Sequence, residues 1–160
     1  MKHLLRRLLD PDPNYTQWIE EWERLHPPPA PDREDWPTFE VILRGEPSEA
    51  TLASVRKQTW KLIGSGGAYL AELGGDDLLH PHALSVVAFE IQCSGAVALY
   101  SDEDVVDALG RRMRPLFKPD WSPSLRSPDY PGNLRVVRRD VPAPDSWQHI
   151  RRVLYHRRGV

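Results

Sequence analysis

Between Asn14 and Leu25, apolar residues recur at steps of three and four: Tyr15, Trp18, Ile19, Trp22 and Leu25. That is the period of a helix, and it sets three aromatic rings on one face. Pro11 and Pro13 end a first short helix before it, so residues 1–26 read as a helical segment carrying an amphipathic helix. Residues 27–37 contain five prolines, and consecutive prolines supply no backbone donors, so this stretch reads as an extended linker.

The remaining residues, 38–160, predict one α/β domain. Thr38–Arg44 is a β-branched and aromatic run that reads as a strand. Ser48 is placed to cap a helix through about Ile63, with Leu52, Val55, Thr59 and Leu62 inward, and Gly64–Gly67 ends it. Ala68–Leu73 reads as a second strand and Gly74–Asp77 as a turn. Pro81 suits the first turn of a helix with Leu84, Val87 and Ile91 on one side. Ala96–Tyr100 reads as a third strand that ends in Ser101-Asp102-Glu103-Asp104. Residues 105–133 predict a surface loop with short helical pieces, Leu134–Arg138 a fourth strand, and Val153–His156 a last one. Strand and helix in alternation imply an open sheet with flanking helices.

Composition narrows the class. Hydrophobic residues are 40% and charged residues 28% of 160, the balance of a soluble globular domain. Met1–Leu9 interrupts its leucines with Arg and does not read as a signal peptide. No apolar run reaches the roughly 18 residues of a membrane span, so a cytoplasmic protein is expected. A lone cysteine, Cys93, excludes an internal disulfide and, lying in an apolar stretch, reads as a buried structural thiol. The net charge of -2 hides a basic end: residues 134–160 hold seven Arg against two Asp. Arg stems lying over the core explain that bias, and a peripheral contact with a membrane surface is the alternative; nucleic acid is not expected.

Candidate chemistry gathers in two acidic groups, Asp76 with Asp77 and Asp102 with Glu103 and Asp104. Both follow predicted strands, and ligands of open α/β sheets bind beyond the carboxyl ends of strands. Clustered carboxylates repel unless a cation compensates, so Mg²⁺ or Mn²⁺ is one reading; a helix cap and a solvated loop are the other. His80 and His82 beside Asp76 add a remote third, a hydrolase site of mixed nitrogen and oxygen ligands.

Longer strings are more specific. Gly75-Asp-Asp-Leu-Leu-His-Pro-His-Ala-Leu84, Leu99-Tyr-Ser-Asp-Glu-Asp104 and Phe117-Lys-Pro-Asp-Trp-Ser-Pro123 resemble family 2 glycosyltransferases of the GT-A type, of the kind that serves bacterial O-antigen and rhamnan synthesis. Tyr15–Ile19, Thr38–Arg44, Gln58–Trp60 and Arg152–Arg157 extend the resemblance discontinuously along the chain. It implies a reduced, Rossmann-like GT-A sheet and a reaction moving a sugar from a nucleotide diphosphate-sugar to an acceptor hydroxyl. In the family a divalent ion holds the departing diphosphate and a carboxylate activates the acceptor. By resemblance Asp76 is a metal ligand and Asp77 the acid beside it. Asp102, Glu103, Asp104, Lys118, Asp120 and Trp121 line the sugar and acceptor side.

Departures from the family are as informative. Gly74 stands where the first Asp of the metal motif should be. Residues 61–67 replace a strand, a helix and another strand, although a strand alone needs about five residues. The segments that would carry the catalytic base are missing, and Asp145 is its weak substitute. A shortened transferase with an incomplete site, and an inactive binding or assembly module on the same fold, both remain open. Sheet edges exposed by the shortening predict a homo-oligomer or a protein partner.

Overall fold

The structure, a computed structural model, describes residues 13–29, 36–59, 62–125 and 131–159. The first predicted helix and the middle of the linker lie outside them. Among the described residues, three helices, α1 (Pro13–Leu25), α2 (Glu49–Arg56) and α3 (Ala83–Ser94), accompany a seven-stranded sheet. The strands are β1 (Phe39–Arg44), β2 (Tyr69–Gly74), β3 (Leu78–Leu79), β4 (Ala98–Val106), β5 (Arg112–Leu116), β6 (Arg135–Arg138) and β7 (Gln148–Arg158).

Their spatial order is β1-β2-β6-β4-β7-β3. β1–β2 and β4–β7 are parallel pairs, while β6 runs antiparallel between β2 and β4. β4 is the axis of the sheet. Its first residues, Ala98–Tyr100, pair with β6, and its last, Glu103–Val106, pair with β5. The result is a curled, mixed open sheet with helices on it.

The core follows from the apolar positions of these elements. Phe39, Leu73, Leu84, Leu99, Leu134 and Leu154 are completely or almost completely buried in one cluster with the inner face of α3. Fully burying such a side chain stabilises by roughly 1.5–3 kcal/mol, so these few residues hold the sheet to its helix. α2 is shorter than the predicted helix. Its Ser48 cap forms, with the Thr51 amide donating to Ser48 Oγ at 3.1 Å, but the helix stops at Arg56. Gln58 draws the chain away: its side chain donates to the His80 carbonyl at 2.9 Å and accepts from the Leu84 amide at 3.1 Å.

Three further expectations are corrected. The acidic run is not a loop beyond a short strand; it lies buried inside the nine-residue β4. Residues 105–133 contain a strand, β5, joined to β4 by a turn in which Asp107 accepts from the Leu109 and Arg111 amides. No helix occurs in the described part of that interval. Cys93 is exposed, because it falls on the outer side of the last turn of α3, two residues past the buried Ile91. Among the described residues, no helix is long and apolar enough to cross a membrane.

Candidate functional site

β4 distributes its acids by strand alternation. Asp102 and Asp104 meet groups near α1, while Glu103 meets the Gly74–Asp77 turn. Each acid has a basic partner. Asp102 Oδ1 receives His149 Nε2 at 2.8 Å and the Lys118 amide at 2.8 Å. Glu103 lies 3.1 Å from Lys118 Nζ and 3.8 Å from Arg157. Asp104 is bonded by Arg112 Nε at 2.8 Å, by the Tyr15 hydroxyl at 2.8 Å and by His156 Nδ1. Burial of these acids therefore brings matching cations with it, as buried charge requires.

Glu103 and Asp77 are joined through two intermediaries. Tyr155 Oη donates to Glu103 at 2.6 Å and accepts from Lys118 Nζ at 2.9 Å and from the Asn133 amide at 3.0 Å. Asn133 Nδ2 then donates to Asp77 Oδ2 at 2.8 Å. Burial pushes the Asp77 carboxyl up, and the Asn133 hydrogen bond only partly offsets this. Glu103 and Asp76 add to the rise through like charge. Asp76 itself is exposed, with 74% of its side chain in solvent, and pairs with Arg158 at 3.1 Å.

Two glycines let this group close. A Cβ on Gly74 would stand 2.7 Å from Asp77 Oδ2, and one on Gly132 would stand 2.2 Å from Lys118 Nζ and 2.6 Å from Tyr155 Oη. Gly132 also has φ +102°, a conformation open to glycine. Of the two acidic groups, only Glu103 and Asp77 share a network, neutralised by Lys118, Arg157 and Arg158, while Asp102 and Asp104 turn toward α1 instead of joining Asp76 beyond the strand ends. Among the described residues, no group of three His, Cys, Asp or Glu side chains is arranged to hold a metal.

A cavity of about 550 Å³ opens between α1 and the start of β7. Trp18, Ile19 and Trp22 of α1 face Phe117, Pro119 and Val153 across it. A ladder of charge forms its floor. His149 bonds Asp102 through Nε2 and Asp120 through Nδ1, the latter at 2.7 Å, and Asp120 also receives Arg151. The imidazole lies flat on Tyr100, centroids 4.9 Å apart and planes within 9°. Burial alone would lower the His149 pKa, but Asp102 and Asp120 together raise it above 6.5. The bonds from Arg151 and His149 hold Asp120 at about 2. Beyond this ladder, Trp121 and Trp147 line a second recess of about 490 Å³ with Glu90 and Gln148.

β7 departs from regular pairing here. Ser101 pairs with Ile150, but Asp102 pairs with Val153, so Arg151 and Arg152 form a bulge. Bulges re-aim side chains beside sites, and this one turns both arginines onto the cavity.

α1 is clasped to the body by a separate polar group. Arg112 Nη1 donates to Glu23 at 2.7 Å, and Glu23 also receives His80 Nε2 at 3.2 Å. Burial would raise the Glu23 pKa, yet His80 and Arg112 bring it down to about 2. Burial holds His80 below its ordinary value despite Glu23.

Among the residues singled out by sequence, Asp102, Lys118 and Asp120 meet at the cavity, Glu103, Asp76 and Asp77 surround the glycine turn, and Asp104 joins the α1 clasp. Trp121 sits in the second recess. Asp145 is exposed in the loop before β7 and lines neither space. His80 serves Glu23, and His82 takes the cap position of α3. Five of the seven arginines of the basic end pair with acids, Arg157 and Arg158 with those of the turn group, Arg151 with Asp120, Arg138 with Asp140 and Arg139 with Glu40, while Arg135 and Arg152 donate to the Gly132 and His26 carbonyls. Sequence reasoning missed His149, Tyr155, Asn133 and Arg112. The one available signal was their chemistry opposite an acidic run, since four carboxylates cannot be buried without such partners.

No family model matches the chain. It is 49% identical over 77 residues, 47% of its length, to the O-antigen biosynthesis protein RfbC of Myxococcus xanthus. It is also 45% identical over 60 residues, 37% of its length, to the uncharacterized protein y4gI of Sinorhizobium fredii. The matched segments span 6% and 7% of those proteins, so the chain corresponds to a small part of either.

Proposed function

We propose that this chain is a reduced relative of family 2 GT-A glycosyltransferases that binds a saccharide in polysaccharide synthesis and does not transfer sugar by itself. The observation that carries this reading is at Gly74. The resemblance puts the first acid of the metal motif there, and the space a side chain would enter is taken by the buried Asp77 carboxylate. The rest of the acidic group already has its positive charge from Lys118, Arg157 and Arg158. Asp76 is left as one exposed donor, and a divalent ion that holds diphosphate wants several oxygens about it. The residues do not fit that ion as they stand.

The saccharide side is better kept. Asp102, Lys118 and Asp120, assigned to it by resemblance, line the cavity beside Trp18 and Phe117. Aromatic faces with a few fixed polar groups suit a sugar ring, whose C–H face packs on the aromatic ring while its hydroxyls meet carboxylates. Identity to a protein named for O-antigen biosynthesis supports the polysaccharide context.

Calorimetric titration with UDP, GDP and dTDP, each with Mn²⁺ or Mg²⁺, tests the reading. The expected result is no metal-dependent nucleotide binding, with glycan fragments bound and weakened by Asp120→Ala. Metal-dependent nucleotide binding that Asp76→Ala abolishes would overturn it in favour of a working transferase.

A further inference from the structure

The charges around the α1 cavity do not balance. Asp102 and Asp120 are answered by His149 and Arg151, and Lys118 is answered by Glu103. Arg152 remains. Among the described residues, no carboxylate lies within ion-pair distance of it; its Nη2 donates to the His26 carbonyl at 2.6 Å, and its guanidinium sits 5.1 Å from the Trp22 ring centroid. Glu23, the acid whose charge reaches it, is committed to Arg112 and His80. Arg152 is half-buried, and this partial burial lowers its pKa, so its charge has given up part of its hydration. A guanidinium kept in that setting, on a bulge aimed into a cavity, is a recognition group for an anion.

The walls define the rest of the ligand. Trp18 and Phe117 are 47% and 56% exposed and meet edge to face, with centroids 6.2 Å apart. They present apolar surface at the mouth. A plain aliphatic chain would cover those rings but would lie over Asp120, His149 and Arg151, desolvating them without return. A pyranose offers both kinds of surface. The cavity volume is within the usual range for small-molecule sites.

We propose that the α1 cavity binds an acidic sugar unit of a glycan, a hexuronate or its like. Its C–H face stacks on Trp18 beside the edge of Phe117, its hydroxyls meet Asp120 and Arg151, and its carboxylate pairs with Arg152. This rests on the saccharide reading above and adds the charge class of the sugar.

The test uses the full chain with methyl glucuronide and methyl galacturonide against the neutral methyl glucoside and methyl galactoside. Binding is followed by tryptophan fluorescence and by the shift of the Trp18 indole N–H. At least one uronide binds about tenfold tighter than its neutral counterpart, the effect of one charge-assisted contact. Arg152→Gln removes that preference, whereas Trp18→Ala weakens acid and neutral sugars alike. Equal binding of acid and neutral forms to the native chain overturns the acidic-sugar inference and leaves the saccharide reading standing. No binding of any of the four overturns both. Decyl phosphate binding tighter than either uronide makes the occupant an amphiphile and also overturns it. If Arg152→Gln fails to fold by circular dichroism, the acid-against-neutral ratio of the native chain decides alone.

Discussion

Gly74 and Asp77 occupy each other's space: the Asp77 carboxylate lies 2.7 Å from where a Cβ on residue 74 would be. Asp77 cannot easily retreat, because it is buried and held by Asn133 at 2.8 Å. Gly74→Ala should therefore destabilise the fold by about 1–3 kcal/mol, the usual cost of overpacking. Gly74→Asp should cost more, since it adds a like charge beside Asp77 and Glu103. Urea denaturation of both variants checks the order, and an unchanged midpoint for Gly74→Asp would show that the turn has room for the missing acid.

Lys118 is the counter-charge on which the Glu103–Tyr155 group depends. Both side chains are almost fully buried, so Lys118→Met strands a carboxylate and should cost about 3–5 kcal/mol. Adding Glu103→Gln should recover most of the loss, because the stranded charge is then gone. A double-mutant cycle by thermal denaturation measures the recovery.

Much of this fold was legible along the chain, and the failures have physical causes. The helical period of Tyr15, Trp18, Ile19 and Trp22 located α1, and the β-branched run located β1 within a residue. β7 was seen only at its apolar centre. The bulge at Arg151 and Arg152 breaks the alternation that marks a strand, and charged residues at both ends hide the rest of its eleven residues. β4 was cut short for a related reason: a run of acids reads as solvated unless its distant partners, Lys118, His149, Arg112 and His156, are known. Glu103 and Asp77 share one network, but the cations that neutralise it, Lys118, Arg157 and Arg158, come from other strands and loops, Arg158 lying 82 positions from Asp76, beyond any local pattern.

His149 gives a signed pH dependence. Its folded value is raised above 6.5, so its stabilisation is fully present below 6.5 and is lost as pH rises through that raised value. Two carboxylates on two ring nitrogens require the imidazolium, and deprotonation breaks one bond. Proton NMR titration should place the His149 midpoint above 6.5, and Asp120→Asn should lower it. A midpoint at or below 6.5 in the native chain would contradict the bridge.

Glu23 behaves in the opposite sense. Its folded value of about 2 lies below the ordinary 4.5, so the α1 clasp contributes fully above 4.5 and weakens as pH falls toward 2. Glu23→Gln should cost about 2 kcal/mol at neutral pH, as Arg112 and His80 lose a charged acceptor. Because α1 carries Trp18 and Trp22, its release in acid should appear as a tryptophan fluorescence change, and Glu23→Gln should remove the acid transition.

Mn²⁺ as a paramagnetic probe on the ¹⁵N-labelled chain, in the presence of UDP and of a glycan fragment in turn, separates a metal site at the glycine turn from a saccharide site at the α1 cavity. A saccharide-binding chain without a working metal motif shows no selective broadening of the Asp76, Asp77 and Glu103 amides with UDP, and glycan-induced shifts at Lys118–Asp120 and His149–Arg152. Selective, saturable broadening around Gly74–Asp77, with no response at the cavity, would contradict the saccharide reading.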